Sequence, residues 1–132
     1  MNARGLRVRY KVWLEHDGQV ALSDWRVQLL DEIDRRGSLA EAARHIGVPY
    51  KTAWYKLKEM EKRLGEALLA SASGGSRGGG MTLTEAGRET IRQYQQLTAG
   101  LDELLAARFA EAFGTLPVGK SAAAEVPETA SA

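Results

Sequence analysis

The chain has 132 residues, 18 Lys and Arg against 17 Asp and Glu for a formal charge of +1, no cysteine, and 44% hydrophobic residues. That length holds one ordinary domain with a buried core, and the lack of cysteine excludes a disulfide framework or a thiolate metal site. The near-balance of charge means that a polyanion would have to be met by a local basic patch. With no signal peptide and no long apolar run in sequence, the chain reads as cytoplasmic with no membrane partner.

Over residues 6–14, Leu6, Val8, Tyr10, Val12 and Leu14 alternate with Arg7, Arg9, Lys11 and Trp13, which predicts a strand. Asp17-Gly18 is a preferred two-residue turn, and Val20 and Leu22 follow it, so the N-terminus reads as a β-hairpin. Its Arg/Lys face reads either as solvated or as touching DNA, and Trp13 on that face marks a partner surface. Asp24 is expected to cap a first helix that turns Val27, Leu30 and Ile33 inward and ends at Gly37.

Residues 38–65 are the most informative stretch. Ser38 and Glu41 form a capping-box pattern, so a helix starts at Leu39, with Leu39, Ala42, Ala43 and Ile46 at helical spacing. Gly47 stands where a left-handed residue ends that helix, and Pro49 suits the first turn of the next. The second helix, 49–64, is two-faced. Ala53, Leu57, Met60 and Leu64 fall in one stripe, and Lys51, Tyr55, Lys58 and Lys62 fall about half a turn away. One face packs and the other is basic, which suits insertion into a major groove; the plainer reading is a solvated Lys/Glu helix, since Glu59 and Glu61 dilute the charge.

Ala67-Leu68-Leu69 and Met81-Thr82-Leu83 read as two short strands joined by a glycine loop over 74–80, the tip of a hairpin or wing. A glycine loop can also cradle a nucleotide phosphate, but no Lys-Ser/Thr pair opens a helix after this one. Arg77 in that loop is expected to touch phosphate or the minor groove.

Thr84 caps a helix over 84–113 in which Ile91, Tyr94, Leu97, Leu101, Leu104 and Leu105 recur at three- and four-residue steps, with Phe109 and Phe113 extending the apolar side. About thirty helical residues span ~45 Å, more than so small a domain can cover alone. A second chain is the expected partner, with Trp13 joining those residues at the interface; the alternative is a helix folded back on its own domain. Residues 114–132 show no apolar period and read as a disordered tail. His16 and His45 have no matching ligands around them in sequence and read as surface or packing residues. No nucleophile and base stand at a workable spacing, so no catalytic residue, enzyme activity, cofactor or metal is expected.

Gly37-Ser38-Leu39, Gly47-Val48-Pro49-Tyr50-Lys51-Thr52-Ala53-Trp54, the 74–80 loop and Leu83-Thr84-Glu85-Ala86-Gly87 together resemble the N-terminal winged-helix domain of the ModE-type molybdate-responsive transcriptional regulators. The last of these segments is shared with LysR-type regulators. The resemblance covers about residues 6–113. It implies a mainly α fold with small β elements: a winged helix-turn-helix with an N-terminal β-hairpin and a long C-terminal dimerisation helix over 84–113, in a domain spanning 1–113. It also places Tyr50, Lys51, Thr52, Trp54 and Tyr55 on or behind a surface that reads DNA.

The candidate DNA-binding set is Ser38, Pro49, Tyr50, Lys51, Thr52, Tyr55, Lys58, Lys62 and Arg77. Lys51, Thr52 and Tyr55 are its base-edge members, and Lys58, Lys62 and Arg77 its phosphate contacts. The chain departs from the family in two places. Ala70 and Ser71 stand where the family tends to carry a charged, Arg-containing pair, and the oxyanion-binding domains that normally follow the winged helix have no counterpart in the sequence. The expectation is therefore a homodimeric, sequence-specific DNA-binding regulator, linked to molybdenum transport or metabolism, that binds double-stranded DNA and no small-molecule effector. The alternative is a protein-interaction module that keeps the fold.

Overall fold

The computed structural model describes residues 1–71 and 80–114. The expectations for most of the glycine loop, Arg77 among them, and for the tail beyond Gly114 fall outside the described residues. The chain divides into two compact units, one over Trp13–Gln95 and the other joining Met1–Val12 to the residues from Gln96 onward.

In the first unit, β1 (Trp13–His16) pairs antiparallel with β2 (Gln19–Ser23), with Trp13 opposite Ser23 and His16 opposite Gln19. The expected turn closes the hairpin: Asp17 and Gly18 both take positive φ, 52° and 77°, as a two-residue loop between right-twisted strands requires. The strand expected over 6–14 is much shorter: the paired register begins at Trp13 opposite Ser23, and after Ser23 the chain enters a helix.

Three helices follow: α1 (Asp24–Arg36), α2 (Leu39–Ile46) and α3 (Tyr50–Leu64). The cap of α1 is Ser23 and not Asp24. Ser23 is the extended residue at the end of β2, and its hydroxyl accepts from the Arg26 amide. Asp24 is already helical, and its carboxylate accepts from the Tyr94 hydroxyl at 2.7 Å. Leu29, Leu30 and Ile33 of α1, Leu39 of α2, Leu57 and Met60 of α3, and Leu68 are almost wholly buried. Side chains of that size contribute about 2 kcal/mol each when removed from water.

The wing strands are β3 (Leu69–Ser71), shifted toward the tip relative to the expected 67–69, and β4 (Met81–Leu83), with Leu69 opposite Leu83. Next comes α4 (Glu85–Thr98). Thr84 caps it as expected, its hydroxyl accepting from the Gly87 amide at 3.0 Å and donating to the Ala67 carbonyl at 2.7 Å.

The helical stretch expected over 84–113 runs from Glu85 to Phe113 in two segments. Gly100 takes φ 80° between α4 and α5 (Leu101–Phe113). In the second unit the N-terminal residues are tied to α5. Asn2 donates through Nδ2 to the Phe113 carbonyl at 2.5 Å, and its Oδ1 accepts from the amides of Arg4 and Leu6. The Tyr10 hydroxyl donates to the Asp102 carboxylate. Phe109 is buried and stacks on Phe113 at 5.6 Å between ring centroids.

Candidate nucleic-acid interface

The turn between α2 and α3 is built by local chemistry. Ser38 caps α2, its Oγ accepting from the Glu41 amide at 3.1 Å. The other half of the capping box is missing, because the Glu41 carboxylate pairs with Arg44 at 2.6 Å. Gly47, at φ 88°, lets its own N–H and that of Val48 both donate to the Ala43 carbonyl, at 2.9 and 3.0 Å, which ends α2 and reverses the chain. Pro49 is extended, with ψ 143°, so it caps α3 from outside and does not occupy its first turn; its carbonyl accepts from Ala53 at 3.1 Å. The base of the wing comes close to this motif, since a Cβ on Gly80 would lie 3.8 Å from that of Ser38.

The two faces of α3 separate as its period requires. Ala53, Leu57 and Met60 are buried to 0% exposure, while Tyr50 and Tyr55 stand 47% and 53% exposed. Lys51, Thr52 and Lys62 are also exposed. Tyr55 meets the half-buried Trp54 edge-on at 5.4 Å, and the Lys51 ammonium stands 5.9 Å from the Tyr55 ring centroid. Pro49 is exposed and Ser38 half-buried.

Lys58 is placed differently from Lys51 and Lys62. Its Nζ lies 3.1 Å from Glu61 Oε1 and 5.3 Å from the Trp54 ring. Glu61 in turn accepts from the amides of Leu68 and Leu69 at 2.8 and 3.0 Å, so it ties α3 to the start of the wing. Burial pushes the Glu61 carboxyl up, but those two amides and the Lys58 ammonium outweigh it and hold the pKa below the ordinary value.

The residues that hold α3 in place were not among the sequence candidates. Arg26, 3% exposed, pairs with Glu59 at 3.0 Å and donates to the Lys56 carbonyl at 3.4 Å. Arg63 donates to the Val20 carbonyl of β2 at 2.6 Å and lies 3.7 Å from Glu59. A signal for this was present: Arg26, Leu30 and Ile33 share the i, i+4, i+7 spacing of a core stripe, so a cation sits at an inward position of α1.

Of the interface candidates, Ile91 and Tyr94 are already buried within the chain. Leu101 and Leu105 are half-buried. Trp13, Leu97 and Leu104 are exposed by 39, 50 and 47%, with the Trp13 indole N–H donating to Glu15. A crevice of about 200 Å³ is lined by Leu14, Leu22, Leu64, Glu66, Thr90, Gln93 and Tyr94. Among the described residues there is no cluster of three metal-ligating side chains, and no helix is long and apolar enough to cross a membrane.

A capped helix, a glycine turn and a second helix with an exposed basic face, followed by a β-hairpin, define a winged helix-turn-helix. Residues 26–88 match the model of the family described as bacterial regulatory helix-turn-helix protein, lysR family, and this part of the chain is similar to that family's helix-turn-helix. The relatives it matches are regulators and molybdenum proteins. The chain is 39% identical over 84 residues to the molybdenum transport protein ModE of Azotobacter vinelandii, covering 64% of this chain and 31% of that protein. It is 42% identical over 80 residues to the molybdenum-pterin-binding protein MopB of Rhodobacter capsulatus, covering 61% and 30%. It is 38% identical over 72 residues to the DNA-binding transcriptional dual regulator ModE of Escherichia coli K12, covering 54% and 28%. The chain thus spans about a third of the length of these relatives. Among solved structures, full-length LTTR LysG from Corynebacterium glutamicum with bound effector Arg superposes with a TM-score of 0.49 at 22% identity, over 68% of this chain and 30% of that one.

Proposed function

We propose that this chain is a sequence-specific transcriptional regulator that binds double-stranded DNA in the cytoplasm as a homodimer and serves molybdenum transport or metabolism. Residues 1–113 would act as its DNA-binding and dimerisation domain. The observation that carries the reading is the outer face of α3. Lys51, Tyr55 and Lys62 are exposed opposite a fully buried stripe, on the second helix of a helix-turn-helix. Lys51 and Lys62 have no carboxylate partner among the described residues, so their charge is available to phosphates. The names of the relatives support the link to molybdenum.

The reading includes no small-molecule effector bound by this chain. The 200 Å³ crevice is a poor site for an oxyanion, because its one charged lining residue is Glu66, whose carboxylate repels an anion. An electrophoretic shift with fragments of the source genome tests the main proposal. A few fragments should shift at concentrations where random DNA of the same length does not, and uniform binding of all fragments would sink it.

A second reading, a protein-interaction module on the same fold, draws support from two observations. Trp13 and Leu14 stand exposed on β1, and the Lys58 charge is neutralised by Glu61. The same shift assay separates the two readings, since the module would favour no fragment.

A further inference from the structure

The outer face of α3 carries one feature that a merely basic helix does not need. On the 100° step of a helix, Lys51, Tyr55 and Lys62 lie within about 40° of one another and about half a turn from Ala53, Leu57 and Met60. Along that face a phenol ring, 53% exposed, stands between the two charges. Its setting is ordered. The half-buried Trp54 meets Tyr55 edge-on at 5.4 Å and 75°, and the Lys51 ammonium stands 5.9 Å from the Tyr55 centroid. Lys51 lies in the first turn of α3 and Lys62 in the last, ~16 Å apart along the axis, so the two cations flank the ring along the helix.

A ring carried into a major groove between two phosphate contacts meets base edges that are donors and acceptors with one exception, the C5 methyl of thymine. We infer that Tyr55 is a specificity-determining residue that selects thymine by packing its ring on that methyl. This deepens the DNA-binding reading above and rests on it. The neighbouring positions are compatible with such a role, since Thr52 and Tyr50, both exposed, keep the first turns free of bulky charged groups other than Lys51.

The test uses the full chain. A duplex is selected from a random pool by the wild-type protein, then resynthesised with deoxyuridine replacing thymidine one position at a time, which removes the methyl and nothing else. The expected result is one thymine per half-site whose replacement weakens wild-type binding about four-fold, the effect of one buried methyl-sized group. Tyr55→Phe should keep that sensitivity. Tyr55→Ala, and Tyr55→Gln as a ringless substitution that favours helix, should bind the thymidine and deoxyuridine duplexes alike, with circular dichroism confirming that each is folded. The inference is overturned if wild type ignores every replacement. It is also overturned if the ringless variants retain the sensitivity, or if Tyr55→Phe loses it, because the hydroxyl would then be the reader. Failure of wild type to select any duplex would instead remove the DNA-binding reading, and this inference with it.

Discussion

The Arg26 guanidinium of α1, 3% exposed, pairs at 3.0 Å with the Glu59 carboxylate of α3, itself 41% exposed. The asymmetry in exposure sets what each loss costs. Glu59→Ala removes a carboxylate partner from a buried cation that still donates to the Lys56 carbonyl, and should destabilise by about 2 to 3 kcal/mol. Arg26→Met fills similar space without charge and leaves Glu59 partly hydrated beside Arg63, so it should cost under about 1 kcal/mol. Urea unfolding of the two variants measures the order. A larger loss for Arg26→Met would mean that the arginine stabilises through its own hydrogen bonds more than it suffers from burial.

Gly87 marks where α4 meets the wing. A Cβ there would stand 2.6 Å from the Leu83 side chain and 3.0 Å from the Leu68 carbonyl, while the Gly87 amide donates to the Thr84 cap. Leu83 is itself buried and has little room to yield. Gly87→Ala should lower stability by about 1 to 3 kcal/mol, against the usual gain for Gly→Ala within a helix. Thermal unfolding checks the sign, and an unchanged or raised midpoint would show that Leu83 repacks freely.

The Glu61 carboxylate makes part of the stability pH-dependent. Its folded pKa lies below the ordinary 4.5 despite the opposing effect of burial. A lowered carboxyl pKa contributes stability that is present above the unfolded value and is lost as pH falls through the folded one. Acidification from about pH 6 to about pH 3 should therefore loosen the tie between α3 and the Leu68 and Leu69 amides. Glu61→Gln keeps an acceptor but not the charge, so its unfolding midpoint should fall less over that range than wild type's. Equal slopes would assign the acid sensitivity to other carboxylates.

The helix-turn-helix was legible because its signals are local. A hydroxyl at Ser38, a glycine at Gly47 and a 3.6-residue apolar period need no distant partner to act. What was not legible depends on a partner elsewhere in the chain. Residues 6–12 alternate as a strand does, but the ladder on β2 ends at Ser23 opposite Trp13, where the chain turns into α1. A lone glycine is tolerated in a helix, so the apolar period carries through Gly100 while the backbone does not. In the site, Lys58 and Lys62 look equivalent by spacing. They differ because Glu61 is free to pair with Lys58, whereas Glu59, three residues before Lys62, is drawn to Arg26 and lies near Arg63.

That difference should appear in DNA binding. Lys62→Ala should weaken all sequences alike and lower the salt slope by about 1 per site, as loss of a phosphate contact does. Lys58→Ala should change the slope by less, because its charge is already met by Glu61. Lys51→Ala, in the first turn, should cost about 1 to 3 kcal/mol on the best site and relax the preference at one base pair. Affinities on specific and random duplexes across a salt series distinguish the three. Equal behaviour would reduce α3 to a basic surface.

The last expectation concerns assembly. Leu97 and Leu104 are 50% and 47% exposed, whereas Ile91 and Tyr94 are buried. Substitutions at the two pairs should therefore have opposite consequences. Leu97→Glu with Leu104→Glu puts charge on an apolar surface that a homodimer would bury, so it should give a folded monomer with the wild-type circular dichroism spectrum. Ile91→Glu or Tyr94→Glu puts charge into a packed interior, and should unfold the protein whatever its oligomeric state. Monomers formed by the first pair should also lose affinity steeply. A two-fold dimer presents one α3 per subunit to half-sites ~34 Å apart or a multiple of that, and a single helix-turn-helix engages only one of them. Light scattering beside a shift assay on a two-half-site duplex measures both effects. A wild type that scatters as a monomer at micromolar concentration, or a Leu97/Leu104 double variant that remains a dimer, would move the interface away from these leucines.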